Sequence, residues 1–241
     1  MTAMTKTTEF APGLTLQGFA APLSLSQFKL IAFDMDSTLI NIECVDEIAD
    51  AAGRKAEVAA ITEAAMRGEI ADYKESLRRR VSLLKGVTVG HMQQVLTERL
   101  RLNPGAADLV KACKAAGLKV LLVSGGFTYF TDHVRDLLGI DWTRSNVLEV
   151  ADGLLTGRMV DQPWGDICDG EEKRKTLLET CQHMGIEPHQ AIAMGDGAND
   201  LPMMGVAGLS VAYHAKPKVR EQAMVAINQG GLDRLLEVVR P

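Results

Sequence analysis

The sequence predicts an α/β fold, a doubly wound parallel sheet with an inserted helical cap, and three observations lead there. Short apolar runs stop abruptly at polar clusters: Phe28 to Phe33 at Asp34, Lys119 to Ser124 at Ser124-Gly125-Gly126, and Ala191 to Asp196 at Gly195-Asp196-Gly197. That layout suits central strands with polar residues at their C-terminal ends. Helical patterns intervene between these runs, so the strands are expected to lie parallel with helices on both faces. Between Cys44 and Leu102 the pattern instead becomes helix upon helix, with no strand signal. A block inserted after the first strand belongs over the sheet's C-terminal edge, where such folds bind ligands.

In chain order, residues 1–27 are rich in Thr, Ser, Ala, Pro and Gly without clear periodicity and read as a loosely held N-terminal extension with a short strand. The core is expected over 28–43 and 103–241, and the helical cap over 44–102, its helices separated by Gly53, Gly68, Gly86 and Gly90. Asn103-Pro104-Gly105 marks the return to the core. Ala106 to Ala116 ends at Gly117, Phe127 to Leu138 at Gly139 and Glu172 to Met184 at Gly185, each glycine standing where a helix C-terminus favours it. Asn146 to Val150 and Leu154 to Met159 flank Asp152-Gly153 as a hairpin. Leu209 to Tyr213 and Met224 to Ile227 extend the sheet.

The 241 residues, 46% hydrophobic and 24% charged, suffice for one core with a sizeable insertion. A net charge of -5 gives no field for a polyanion, and the densest basic run, Arg78-Arg79-Arg80, is short, so nucleic acid is not an expected partner. Four cysteines without a C-x-x-C pair suggest a reducing cytosol rather than a disulfide scaffold. Glu9, Pro12 and Gly13 interrupt any secretory apolar region, and no later run approaches a membrane span; cytoplasmic residence without membrane attachment is expected.

Asp34-Met35-Asp36-Ser37-Thr38 places two carboxylates one residue apart at a strand end, so extended alternation sends both to one side. Hydrolysing a phosphate monoester requires acceleration of up to ~10²¹-fold, which asks for a nucleophile, a metal and a general acid together. Asp34 suits the nucleophile, since a fixed carboxylate splits the displacement in two. Asp36 suits the proton donor to the leaving alkoxide and the acceptor from the attacking water. A calcium loop needs Gly and Glu where this chain has Leu39 and Val45.

Asp196, at another strand end, would repel Asp34 in a dry pocket unless a cation lay between them, and magnesium takes hard oxygens such as Asp34, Asp196 and the main-chain carbonyl of Asp36. Gly195-Asp196-Gly197 lacks the third glycine of a dinucleotide fingerprint. Gly165 to Gly170 is followed by Glu171 and Glu172 where a Walker loop needs Lys and Ser or Thr. Ser124-Gly125-Gly126 reads either as a tight turn or as a hydroxyl and backbone N–H groups that hold phosphate. Lys173 would neutralise a phosphate, although Arg174 and Lys175 make a solvated face an equal reading on local grounds. The five histidines lack zinc spacing.

Together, Asp34-Met35-Asp36-Ser37-Thr38, Ser124-Gly125-Gly126, Lys173 and Gly195-Asp196-Gly197-Ala198-Asn199-Asp200 resemble the haloacid-dehalogenase (HAD) superfamily with its HAD-like core, and within it the phosphatases that act on phosphoserine. Asn41-x-Glu43, Ser76 to Val81 and His214-Ala215-Lys216-Pro217 also match, so the resemblance runs from Phe28 to the C-terminus. It implies a magnesium-dependent phosphomonoester hydrolase with Asp34 as nucleophile and Asp36 as acid and base. Asp34, Asp36 and Asp196 are implied around the metal, Ser124, Gly125, Lys173 and Asn199 around phosphate, and Asp200 behind them. Its spacing to Asp196 selects Lys173 over Lys175.

For the amino-acid end the resemblance implicates Glu43 for the ammonium and Arg80 for the carboxylate, and a zwitterion does want one anion and one cation. Met66 is expected to add apolar lid surface. Residues 1–27 are too short for the regulatory amino-acid-binding domain carried by many members. A dehalogenase would not need Asp36 or a phosphate grip, and a signalling receiver would not need the helical cap. Related amino-acid or small-alcohol phosphates remain the alternative substrates, because such a pocket tolerates an extra methylene.

Overall fold

The computed structural model describes residues 7–66, 69–70 and 72–240. Eleven strands and ten helices are named among them. The strands are β1 (Thr7–Ala11), β2 (Leu14–Gln17), β3 (Leu23–Ser24), β4 (Leu30–Phe33), β5 (Lys119–Phe127), β6 (Trp142–Ala151), β7 (Leu154–Val160), β8 (Ala191–Gly195), β9 (Leu209–Tyr213), β10 (Val225–Ile227) and β11 (Val239–Arg240). The helices are α1 (Cys44–Ala51), α2 (Lys55–Met66), α3 (Tyr73–Ser82), α4 (Val89–Gln94), α5 (Ala106–Ala115), α6 (Thr128–Leu138), α7 (Gly170–Met184), α8 (Leu201–Met204), α9 (Pro217–Arg220) and α10 (Leu235–Val238). No helix among the described residues is long and apolar enough to cross a membrane.

Nine strands form one sheet in the order β1-β2-β10-β9-β8-β4-β5-β6-β7, and β3 and β11 pair separately. The α/β expectation holds: β10, β9, β8, β4, β5 and the first part of β6 run parallel. Strand β4 sits between β8 and β5, and all four of its residues are buried. Ile31 and Phe33 pack into one apolar layer, while Leu30 and Ala32 pack into the other. A strand covered on both faces is apolar at every position, which is why this run shows no alternation in sequence.

Parallel strands in register bring their C-terminal ends to one edge. Phe33 lies beside Leu122 on β5 and Met194 on β8, so Asp34, Ser124 and Asp196 emerge together. Helices α5, α6 and α7 end as expected, with Gly117, Gly139 and Gly185 at φ 86°, 64° and 65°. The hairpin also forms: Asp152 and Gly153 both adopt positive φ, the geometry a two-residue turn needs between twisted strands.

Two expectations are corrected. The chain does not turn at Ser124-Gly125-Gly126; β5 continues to Phe127, and its pairing with β6 shifts register between Val123 and Phe127. The serine and glycines form a bulge, which bends the strand without ending it. Residues 7–17 are not a loose extension, because β1 and β2 form a hairpin whose second strand pairs antiparallel with β10. Leu14 and Leu16 are buried there, alternating with less buried Thr15 and Gln17. That hairpin covers the edge β10 would otherwise expose.

Helices α1 to α4 follow one another between Cys44 and Gln94, as the sequence indicated. The β6–β7 hairpin, at the edge of the sheet, touches this block from a second side. Gly86 N donates to Leu155 O at 2.8 Å, Leu155 N to Val87 O at 2.7 Å, and Val89 N to Gly153 O at 3.0 Å. Gly157, at φ 82°, lies so close to α3 that a Cβ there would come within 3.0 Å of Ser82 O.

Candidate active site

Where β4 ends, Asp34 keeps extended geometry and its carboxylate accepts from the Met35 amide at 2.7 Å. The chain then bends sharply: Asp36 is extended again, and Ser37 takes φ 56°, a left-handed conformation that costs a non-glycine residue energy. Ile40 N closes this turn on Met35 O at 3.0 Å. The bend delivers Asp36 to the start of α1, where its carboxylate accepts from both the Cys44 amide and the Cys44 thiol at 3.1 Å. Burial and the nearby Glu43 push the Asp36 carboxyl up to about 7, against the pull of the Cys44 hydrogen bonds.

Lys173, in the first turns of α7, is fully buried and lies 2.7 Å from both Asp34 and Asp200. Burial opposes its charge, but Asp200 and Asp34 outweigh it and hold its pKa well above the ordinary value. Burial pushes Asp34 upward, and so do Asp200 and Asp196, while Lys173 pulls it down. Local sequence did not separate Lys173 from its neighbours; the structure does. Lys175 is half exposed and pairs with Glu172 and Glu179 outside the cavity, and Arg174 pairs with Glu171 on the surface.

Asp196 follows β8, and Thr38 donates to it at 3.4 Å. Burial, Asp200 and Glu43 push its carboxyl up to about 7. One Asp200 oxygen faces Lys173, and the other accepts from the Asp196 and Gly197 amides at 3.1 and 3.0 Å. Asp34, Asp196 and Asp200 bring oxygens within 4.8 Å of one another. The Asp36 carboxylate lies outside that group, turned toward Cys44.

Asp34, Asp36 and Asp196 line a cavity of about 690 Å³ between the sheet edge and the helical block, together with Ser124, Gly125, Asn199, Glu43 and Arg80. Lys173 and Asp200 are fully buried behind it, Lys173 against Asp34. Ser124 is buried and accepts from Gly126 N at 2.9 Å, while Gly125 O accepts from Asn146 at 2.7 Å. Glu43 is exposed to the cavity and accepts from Ser37 at 2.7 Å. Arg80, from the last turn of α3, has its Nε buried without a hydrogen-bond partner. The Met66 side chain lies outside the described residues, as does Gly68.

Sequence reasoning missed several lining residues. Tyr73, Asp46, Thr62, Ile70 and Lys216 also face the cavity. Tyr73 and Asp46 sit in the cap helices, where amphipathic spacing marks a face without saying what it faces. The Cys44 thiol was counted only as a free cysteine, although its position at the start of α1 signalled proximity to the D-x-D segment.

A family model described as haloacid dehalogenase-like hydrolase matches residues 28–208. The chain is 81% identical over 233 residues to a phosphoserine phosphatase of Polaromonas sp., covering 97% of this chain and 99% of that one. It is 76% identical to a phosphoserine phosphatase of Albidiferax ferrireducens, covering 97% and 99%. Among solved structures it resembles an unliganded probable phosphoserine phosphatase from Vibrio cholerae with TM-score 0.80 and 44% identity over 93% of this chain and 68% of that one. It also resembles a phospho-aspartyl intermediate analogue of phosphoserine phosphatase with TM-score 0.81 and 38% identity over 88% and 99%.

Proposed function

The chain belongs to the haloacid dehalogenase-like hydrolase family, and from that premise we propose that it is a magnesium-dependent phosphomonoester hydrolase that releases phosphate from O-phospho-L-serine to give L-serine through an aspartyl-phosphate on Asp34. One observation carries the reading: a single cavity is lined by Asp34, Ser124 and Gly125, with Lys173 buried directly behind Asp34, and also by Glu43 and Arg80. A phosphate fits the first group and an amino-acid zwitterion the second.

Asp34 attacks phosphorus, and Asp36, whose pKa is raised, gives its proton to the departing serine oxygen. Water then attacks the acyl phosphate and Asp36 takes the proton back, returning Asp34 free. Lys173 offsets charge on the phosphoryl oxygens and on Asp34, while Ser124, the Gly125 amide and Asn199 orient the group. Asp200 keeps both its oxygens on Lys173 and the two backbone amides, so it acts by holding that lysine and the Asp196 loop in place.

The donor set fits a hard divalent cation. Three carboxylates converge within 4.8 Å, and burial together with neighbouring carboxylates raises Asp34 and Asp196, a repulsion that a cation relieves. Asp34, Asp196 and the main-chain carbonyl of Asp36 would hold magnesium, which supplies charge neutralisation for the phosphoryl group. We further propose that residues 28–43 and 103–241 act as the catalytic core, with 44–102 as a lid. The chemistry suits the cytoplasm, where phosphorylated metabolites are found.

Phosphate release from a panel of phosphomonoesters, with and without magnesium, tests this function. Phosphoserine is expected to be the preferred substrate and chelation to stop turnover reversibly. Full activity in metal-free buffer sinks the metal assignment. Trapping the intermediate should give a modified Asp34, absent in Asp34→Asn; a modified Ser124 beside an intact Asp34 overturns the nucleophile.

A further inference from the structure

We propose that Tyr73 is a further substrate-contacting residue, whose hydroxyl donates a hydrogen bond to the phosphoryl group held at the Ser124-Gly125 bulge. The proposal deepens the function given above and rests on it. Tyr73 is the first residue of α3, and the start of that helix is firmly placed. Asp72 caps it, accepting from Lys74 N at 3.1 Å and Glu75 N at 3.3 Å. The next residue, Lys74, lies 2.8 Å from Asp166 and 3.6 Å from Asp169, and Arg78 also pairs with Asp166. Those acids belong to the segment leading into α7, the helix that carries Lys173, so the first turn of α3 is tied to the floor of the cavity.

The tie sets the Tyr73 hydroxyl directly over the bulge. A Cβ built on Gly125 would come 2.0 Å from that oxygen and 3.2 Å from the ring carbon bearing it. Position 125 must therefore stay glycine for the hydroxyl to sit there. Tyr73 lines the same cavity as Asp34 and Ser124, and its hydroxyl makes no hydrogen bond to any described residue. The partly buried phenol opens on the cavity, where its O–H can donate to a bound group. Burial also drives its pKa upward, against the pull of Lys173 and Arg80, so the group stays a neutral donor. Phosphoryl oxygens accept hydrogen bonds, and Lys173 already faces Asp34 and Asp200. The hydroxyl, carried by α3, thus adds a neutral donor from the helical block to those the sheet edge supplies.

Tyr73→Phe keeps the ring and removes only the oxygen. A hydrogen bond to a charged acceptor is worth enough that kcat/KM should fall about tenfold, and equally for phosphoserine and for an aryl phosphate. Binding of inorganic phosphate, measured by calorimetry, should weaken by a similar factor. Gly125→Ala should do less harm in the Tyr73→Phe background than in wild type, because the clash with the hydroxyl is gone. Values for Tyr73→Phe within twofold of wild type on both esters overturn the proposal while leaving the phosphatase reading intact. A loss confined to phosphoserine also overturns it, by moving the hydroxyl to the amino-acid end. Wild type that neither hydrolyses these esters nor binds phosphate overturns the site and the Tyr73 assignment together.

Discussion

Arg80 brings a guanidinium to the cavity wall with its buried Nε unpaired, and Asp46 nearby has a buried oxygen in the same condition. A substrate carboxylate gives the guanidinium what the protein does not, so Arg80→Ala should lower kcat/KM for phosphoserine by roughly 30-fold or more, the loss expected for a buried charged contact. An aryl phosphate without the amino-acid group should suffer far less. An unchanged ratio of the two kcat/KM values in the variant would remove Arg80 from substrate selection. Lys173→Ala, by contrast, should impair both esters, since the lysine pairs with Asp34, the nucleophile proposed for both. Cys44 acts more quietly: its amide and thiol both hold the Asp36 carboxylate. Cys44→Ala is expected to lower kcat a few-fold with KM unchanged, and Cys44→Ser to restore it. A rise in KM alone would show that the thiol does not position the acid.

Among the elements, the β1–β2 hairpin and the β6–β7 hairpin do different work. The first closes the β10 edge and buries Leu14 completely. Leu14→Ala should cost about 2–5 kcal/mol of stability by the usual loss for a buried leucine. Denaturant unfolding measures this, and kcat should stay at the wild-type value because the hairpin lies across the sheet from the cavity strands. A stability unchanged by this truncation would mean that the hairpin adds nothing to the core. The second hairpin supports α3 through Gly157 and the backbone bonds at Gly86, Leu155 and Val89. Through α3 it helps place Arg80 and Tyr73.

In the molecule as a whole, the cavity lies where the helical block meets the sheet edge, and substrate has to enter between them. The α3 contacts to Asp166 and Asp169 join those two parts across the mouth. They are partly exposed, so each contributes little to stability and opens readily. Binding of a phosphate mimic with magnesium should slow hydrogen exchange across 44–102. Unchanged exchange throughout that span would count against a lid that closes over the substrate.

Fold class, the alternation of strands and helices, and the carboxylates at strand ends are all legible along the chain. Those features follow from local periodicity and from short motifs, and each apolar run carries its own polar stop. Glycines at the helix ends were legible for the same reason, since a left-handed backbone is a local demand. Which of Lys173, Arg174 and Lys175 is buried against Asp34 and Asp200 depends on tertiary packing, because the three differ in burial and not in neighbours along the chain. Tertiary structure also decided that Ser124-Gly125-Gly126 is a bulge rather than a turn, since a bulge is defined by the partner strand β6 and not by the bulged residues. The edge pairing of residues 14–17 with β10 and the approach of Tyr73 to Gly125 belong to the same class. Each joins segments far apart in sequence, and only the packed chain brings them within contact distance.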